Sequence, residues 1–362
     1  MVLIMYKYHL EDVEWSEFSI KDIFKTHFGT NGLQTYTGSY IKKELFSESK
    51  LPRITVRETN NGIDSFVHSS DKKFRVFENF ISVSFLGGVF YHPYKASIDM
   101  KVHALIPINF ELNRYNAQFL INAVKNNLMY SSYGNQLSST DLPRVKVMLP
   151  LDEEQNPNWL FMEEYIKERE NKKRQELKDY HKNRLLDLVI NPEVLTDVEW
   201  REVFIEEVAE IYSGKDIYEK ERTIGDTPYI TATANNNGIG YFVGNNNKTL
   251  DSECISVNRN GSVGYAFYHC YEALYGNDTR KLKPFRKNKY TALFIAHAIT
   301  SQKDKYGYGY KMGTGRLKRQ KIMLPVYDGE INYEFMENFI KNIEKKQIKN
   351  VLKYLDEYIY NV

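Results

Sequence analysis

Tyr115-Asn-Ala-Gln-Phe-Leu120 returns later in the chain as Tyr290-Thr-Ala-Leu-Phe-Ile295, and the recurrence spreads outward in both directions. Upstream, Phe90-Tyr-His92 matches Phe267-Tyr-His269 and Ile81-Ser-Val83 matches Ile255-Ser-Val257. Asn60-Asn-Gly-Ile63 matches Asn236-Asn-Gly-Ile239, each followed by Phe-Val (Phe66-Val67, Phe242-Val243). Further back, Leu51-Pro-Arg-Ile-Thr55 matches Thr227-Pro-Tyr-Ile-Thr231, and Val13-Glu-Trp15 matches Val198-Glu-Trp200. Downstream, Met148-Leu-Pro150 matches Met323-Leu-Pro325 and Phe161-Met162 matches Phe335-Met336. Nine blocks in one order, at offsets between 174 and 185, exclude coincidence. The chain is a tandem duplication, and each copy is one structural unit.

Each copy reads as an α+β domain of about 130–150 residues. A short extended piece ends at Trp15 or Trp200, and a short amphipathic helix follows over Phe18–Phe24 or Val203–Ile211. Short strands come next, punctuated by turn signals at Asn60-Asn-Gly62, Leu86-Gly-Gly88, Asn235-Asn-Asn-Gly238 and Asn260-Gly261. One helix interrupts them, over Ala117–Asn127 or Ala292–Gln302, and a last apolar strand, Val145–Leu149 or Lys321–Leu324, stops at a proline. Beyond each proline, Trp159–Leu188 and Tyr333–Tyr360 contain no Gly or Pro. Their apolar residues (Met162, Tyr165, Ile166, Leu177, Tyr180, Leu185; Met336, Phe339, Ile340, Ile343, Val351, Leu352, Leu355, Ile359) fall at helical spacing. Two long helices, each with one stripe, are expected to pack antiparallel as a coiled-coil-like spacer. The expected divisions are 1–152 (first domain), 153–190 (central helix), 191–328 (second domain) and 329–362 (C-terminal helix).

At 362 residues and 42.6 kDa, 42% apolar and 27% charged, the composition is that of a soluble globular protein of two or three domains. No apolar run approaches the roughly 18–20 residues of a membrane span. Met1-Val-Leu-Ile-Met5 is too short for a secretory core, and Tyr6-Lys-Tyr-His-Leu10 offers no cleavage site. Two cysteines, Cys254 and Cys270, cannot build a disulfide framework, so a cytoplasmic location is expected, with both thiols buried and inert. The net charge is only +2, yet Arg280–Lys321 holds thirteen basic residues and one acid, Asp304. That tract predicts one cationic surface for a polyanionic partner.

Ile255-Ser-Val-Asn-Arg-Asn-Gly-Ser-Val-Gly264, running into Tyr265-Ala-Phe-Tyr-His269, resembles the specificity subunits of Type I restriction–modification systems and of BcgI-like relatives. So does Gly309-Tyr-Lys-Met-Gly-Thr-Gly-Arg316, running into Lys321-Ile-Met-Leu-Pro325. The resemblance covers the chain from about Val13 to its end. It implies two tandem target-recognition domains, each reading one half of a split double-stranded DNA site. It implies helices that act as spacer and as dock for two methyltransferase subunits, with room for restriction subunits. Any S-adenosylmethionine would then be bound by the methyltransferase partner, which methylates adenine, and not by this chain. The first copy departs from the pattern: Ser84-Phe-Leu-Gly-Gly-Val-Phe90 and Tyr133-Gly-Asn-Gln-Leu-Ser-Ser139 stand at the corresponding places. Such divergence is expected of halves that read different sequences.

Catalytic signatures are missing. No Gly-rich cofactor turn is paired with an Asp/Asn-Pro-Pro-aromatic motif; Asn156-Pro-Asn-Trp159 lacks the second proline and opens a helix. There is no phosphate-binding Gly-x-x-x-x-Gly-Lys loop and no His/Cys spacing suited to a metal. Glu344-Lys-Lys346 has the form of a nuclease half-motif without its upstream partner. The chain is read as non-catalytic.

Binding chemistry is better represented, since Lys and Arg neutralise phosphates while Arg, Asn, Gln, Ser and Thr read base edges. The candidates in the first domain are Arg53, Arg57, Asn60, Asn61, Lys72, Lys73, Arg75, Tyr133, Asn135, Gln136 and Arg144. In the second they are Asn235, Asn236, Asn237, Arg259, Asn260, Tyr306, Tyr308, Tyr310, Lys311, Arg316, Lys318 and Arg319. Simpler roles compete at several of these. The Asn-Asn-Gly runs suit turns, because Asn and Gly tolerate φ > 0. Tyr306, Tyr308 and Tyr310 alternate as one inward face of a strand would, and His92 and His269 read as structural. The rival function is a duplicated protein-interaction scaffold whose basic face binds an acidic partner.

Overall fold

The computed structural model describes residues 7–128, 136–191, 198–307 and 309–357. Two compact units divide the chain, Met1–Leu177 and Lys178–Val362. In the first, β1 (Trp15–Ser19) leads through a single turn, α1 (Ile20–Ile23), to β2 (Thr26–Gly29) and β3 (Gly32–Thr37). Next come β4 (Ser47–Ile54), β5 (Ile63–His68), β6 (Val76–Phe77), β7 (Phe80–Ser84), β8 (Val89–His92), β9 (Ala96–Ile98) and β10 (Val102–Leu105). The helix α2 (Arg114–Leu128), the strand β11 (Lys146–Pro150) and the long helix α3 (Trp159–Leu186) complete the series.

The second unit runs through β12 (Glu199–Phe204), β13 (Ala209–Ser213), β14 (Thr227–Ile230), β15 (Ile239–Val243), β16 (Cys254–Asn258), β17 (Ala266–His269), β18 (Leu274–Tyr275) and β19 (Thr279–Pro284). After it come α4 (Lys289–Thr300), α5 (Thr314–Lys318), β20 (Lys321–Tyr327), β21 (Glu330–Ile331) and α6 (Tyr333–Glu357).

The sheet orders repeat with the sequence. A central antiparallel sheet is ordered β3-β10-β7-β8 in one unit and β13-β19-β16-β17 in the other, with β2 added outside β3 in the first. A smaller sheet is ordered β5-β4-β9 and β15-β14-β18, with β6 added antiparallel outside β9 in the first, and the matching pairs β4–β9 and β14–β18 are parallel. The two ends of each repeat are neighbours: Trp15 lies opposite Pro150 in the β1–β11 ribbon, and Trp200 opposite Pro325 in β12–β20. Every residue of β7 and β16 is buried, as expected of strands flanked on both sides and covered by a helix. The cover is α2 or α4. Each is started by an asparagine, Asn113 or Asn288, whose side chain accepts from two backbone N–H groups of the first turn. Their inner faces bury Ala117, Phe119, Leu120 and Val124, or Ala292, Phe294, Ile295 and Ile299.

Three local expectations change. The helix expected at Phe18–Phe24 is one turn, because Trp15–Ser19 is held in register against β11; in the second unit the matching stretch is strand, one 3-10 turn over Ile205–Glu207 and strand again. The final strand of the first unit ends on Pro150, whereas that of the second runs through Pro325 to Tyr327. At Pro325 the strand has β12 on one side only, so its missing N–H leaves no gap in a second ladder. The long helices form, but the stripe on α3 is not one continuous contact. Met162 enters the first core, whereas Leu177 and Tyr180 are 47% and 63% exposed. Leu185 and Leu188 pack with Ile340, Ile348 and Leu352 inside the second unit. There Lys178 pairs with Asp356 at 2.5 Å and Arg184 with Glu344 at 2.7 Å, so the end of α3 meets α6 in reversed order and through charge as well as apolar contact.

Candidate nucleic-acid interface

In the second unit, three candidate stretches converge at the Asn258 end of β16. The side-chain amide of Asn258 donates to the Thr233 carbonyl at 2.9 Å, and the Ser262 N–H donates to the Ala232 carbonyl at 3.1 Å. This ties the loop of Arg259 and Asn260 to the segment that leads into Asn235–Asn237. Gly264, at φ +83°, would place a Cβ 2.8 Å from the Lys303 Cα, so the same loop rests directly on the start of 303–319. Arg259 pairs with Asp278 at 3.0 Å, and the backbone N–H groups of Arg259 and Asn260 both donate to the Asp278 carbonyl.

Within 303–319, Tyr306 and Tyr310 do not lie along one face of a strand. The rings of Tyr306 and Tyr310 stack at 5.6 Å with a 15° interplanar angle, and the Arg316 guanidinium lies 3.9 Å over Tyr310. Arg316 also donates to the Lys311 carbonyl at 2.7 Å, and the Tyr306 hydroxyl donates to the buried Gln320. Lys318 and Arg319 are exposed at the end of α5. Tyr308 lies outside the described residues.

The basic tract that contains this loop does not form a single cationic face. Arg280 is buried, with its Nε donating to the Thr314 hydroxyl at 2.7 Å; burial and then the neighbouring Arg259 push its pKa down. Lys281 and Lys283 meet Asp251, Lys289 meets Glu344 and Lys321 meets Glu202. The linear sequence concentrates these charges; the strands β19 and β20 and the start of α4 distribute them among carboxylates from elsewhere in the unit.

In the first unit the candidates occupy separate elements. Arg53 contacts Asp99 at 2.8 Å and Asp64 at 3.4 Å, and Arg57 contacts Asp64 at 3.2 Å. Arg75 donates to the Thr37 carbonyl at 2.6 Å, and Lys72 and Lys73 are exposed on the turn before β6. Gln136 accepts from Lys101, whose ammonium lies 4.5 Å over Phe85. Arg144 is exposed immediately before β11. Tyr133 and Asn135 lie outside the described residues. Lys101, Asp278 and Thr314 take part in these networks but were not among the sequence candidates. Matching of the copies around Leu142 and Leu317 is a sequence signal that singles out positions in this region.

The shared turns and histidines are structural. Asn60, Asn61 and Gly62 are all left-handed (φ 52°, 52° and 76°), as are Asn236, Asn237 and Gly238 (49°, 54° and 78°). Both turns close with the same pair of backbone bonds, Gly62 N–H to Thr59 with Thr55 N–H to Gly62, and Gly238 N–H to Asn235 with Thr231 N–H to Gly238. Asn and Gly are the residues that tolerate this region. His92 and His269 each hold a buried serine, Ser82 or Ser256, at 2.8 Å, and burial lowers both pKa values to about 4. Of the thiols, Cys254 is buried and burial raises its pKa to about 11, while Cys270 is exposed, contrary to expectation, on the residue that follows β17.

Among the described residues, no group of His, Cys, Asp and Glu could hold a metal ion, and no helix is long and apolar enough to cross a membrane. The chain is 31% identical over 343 residues to the specificity subunit S.BcgI of a Type II restriction enzyme from Heyndrickxia coagulans, covering 93% of this chain and 96% of that protein. Its fold is similar to the crystal structure of a Type I restriction–modification S subunit from M. genitalium, with a TM-score of 0.52 and 19% identity over 98% of this chain and 96% of that one. The family model for the Type I restriction modification DNA specificity domain matches residues 12–179 and again 197–354. The frame repeated in the two units is therefore that domain twice over, and the chain belongs to the Type I restriction–modification DNA specificity family.

Proposed function

We propose that the chain is the non-catalytic DNA reader of a restriction–modification complex, recognising a bipartite duplex with one unit on each half. The observation that carries this reading is a frame built twice with unlike side chains at corresponding loop positions: Phe85 and Lys101 in one unit stand where the other has Arg259 and Asp278. Equal frames give equal docking on DNA, and unlike loops give unlike half-sites. The regions 1–152 and 191–328 supply the two readers. The helical regions 153–190 and 329–362 act as the spacer and as the dock for two methyltransferase subunits. Those subunits bring S-adenosylmethionine and methylate adenine in the cytoplasm, and restriction subunits join the same assembly.

Co-expression with a methyltransferase partner, followed by single-molecule mapping of methylated bases, tests the reading. A split motif with one fixed gap is expected. Removing four residues from the exposed middle of α3 shortens it by about 6 Å and should change that gap. An unchanged gap would refute the spacer role. A soluble complex that yields no motif would favour the protein scaffold instead.

A further inference from the structure

We propose that Arg316 is a guanine-reading residue of the second unit, pre-set for that task by the tyrosine stack beneath it; this rests on the DNA-reading function above. The anchoring runs upward from the core. Gln320 is buried and holds the Tyr306 hydroxyl, Tyr310 stacks on Tyr306, and the Arg316 guanidinium lies flat over Tyr310. One Nη1 bond to the Lys311 carbonyl fixes the remaining rotation. Among the described residues Arg316 pairs with no carboxylate, and it is exposed, so Nε and Nη2 remain for an incoming acceptor pair. A planar donor edge fixed in this way matches the O6 and N7 acceptors of guanine in the major groove. The two glycines that precede it face open space: a Cβ built on Gly313 or Gly315 meets no atom within 4 Å, and Gly313 is extended at φ −69°, ψ 165°.

Comparison of the two copies separates base from phosphate. Leu142 and Leu317, both fully buried, precede β11 and β20 at matching distances and fix the alignment there. The residue before each is Asp141 in the first copy and Arg316 in the second. An aspartate repels phosphate, so this position is not a backbone contact common to both units. Each residue nevertheless suits a base edge, Arg for guanine and Asp for the amino group of cytosine. Two residues beyond the leucines, Arg144 and Arg319 are the same residue and both are exposed, as a shared phosphate contact requires.

The test selects bound duplexes from a randomised library with the full chain and compares wild type, Arg316→Lys, Arg316→Ala and Arg319→Ala. Wild type should enrich a motif with a guanine in one half. Both Arg316 variants should lose preference for that guanine by about 5- to 150-fold while the other positions keep theirs. Arg319→Ala should retain the motif, bind every duplex more weakly and lower the slope of log affinity against log salt by about one. Arg316→Lys retains the charge without the planar fork, so full preference in that variant would overturn the assignment, as would uniform weakening in Arg316→Ala. A wild-type chain that binds duplex but enriches no motif would instead overturn the DNA-reading function on which the assignment rests.

Discussion

Lowering the pH from 7 to 5 should destabilise the first unit about twice as much as the second. Three buried histidines have pKa values lowered to about 4: His92 and His103 in the first unit, and His269 in the second. Burial is the cause in each, with the Leu137 backbone pulling His103 slightly the other way. Because the folded values lie below the unfolded value of about 6.5, the unfolded chain takes up protons first as pH falls. Stability is therefore unaffected above about pH 6.5, is lost between there and about pH 4, and levels off below. Each histidine contributes a loss of about 2 kcal/mol at pH 5 and about 3 kcal/mol near pH 4. That amounts to about 4 kcal/mol for the first unit at pH 5 and about 2 for the second, against a usual stability of 5–15 kcal/mol. Glu344 is held low by its bond from Arg184, so the stability it contributes is present above the ordinary carboxylate value of about 4.3 and is lost only below it, clear of the comparison between pH 7 and pH 5. Urea unfolding at both pH values, followed by hydrogen exchange assigned to each unit, measures the two losses separately. Equal losses, or none above pH 4.5, would refute the claim that these histidines are buried and neutral.

Two glycines should respond to alanine with opposite signs. Gly62→Ala is expected to lower stability by about 1–2 kcal/mol, because its φ is +76° and a Cβ would press on Ile54 at 3.0 Å; Gly315→Ala, within α5 and facing open space, should raise it by about 0.5–1 kcal/mol while weakening DNA binding. Chemical denaturation and a duplex-binding titration check both, and a destabilised Gly315→Ala would mean that this glycine serves the fold. Arg184→Ala should cost the second unit about 1–3 kcal/mol in urea unfolding, since Glu344 loses its closest partner and Tyr290 the donor to its hydroxyl. A change under about 0.5 kcal/mol would show that the α3–α6 contact is held by Leu185 and Leu188 alone.

The parts of this fold that were legible in the sequence are those that the two copies share. Val-Glu-Trp and Met-Leu-Pro recur because they are two strands of one ribbon, and Ile-Ser-Val and Phe-Tyr-His recur because Ser82 and His92, like Ser256 and His269, are bonded across neighbouring strands. Recurrence identifies a constraint but not its geometry. Ile20, Ile23 and Phe24 are spaced as a helix would space them, yet the strand pairing before them wins and leaves a single turn. Arg53 and Arg57 looked free because the carboxylates that face them, Asp64 and Asp99, are distant in sequence or carry no motif. The same limit applied to the basic tract, where sheet pairing brings Glu202 to Lys321 and the loop before β16 brings Asp251 to Lys281.

Position 316 reverses the usual inference from likeness. Between copies of a frame that read different halves of a site, a residue that stays the same on an exposed edge serves what the halves have in common, which is the phosphate backbone. A residue that changes its charge at a position fixed by a buried neighbour serves what differs, which is the bases. Arg319 with Arg144 meets the first condition, and Arg316 with Asp141 the second. Charge density along the sequence favoured all the basic residues from Arg280 to Lys321 equally. Once the buried Arg280 and the paired Lys281, Lys283, Lys289 and Lys321 are set aside, the guanidinium stacked on Tyr310 stands out as one whose direction is fixed before DNA arrives. A base reader needs that pre-set direction more than it needs net charge, because a flexible cation finds phosphate anywhere on a duplex, whereas only an oriented edge discriminates one base pair from another.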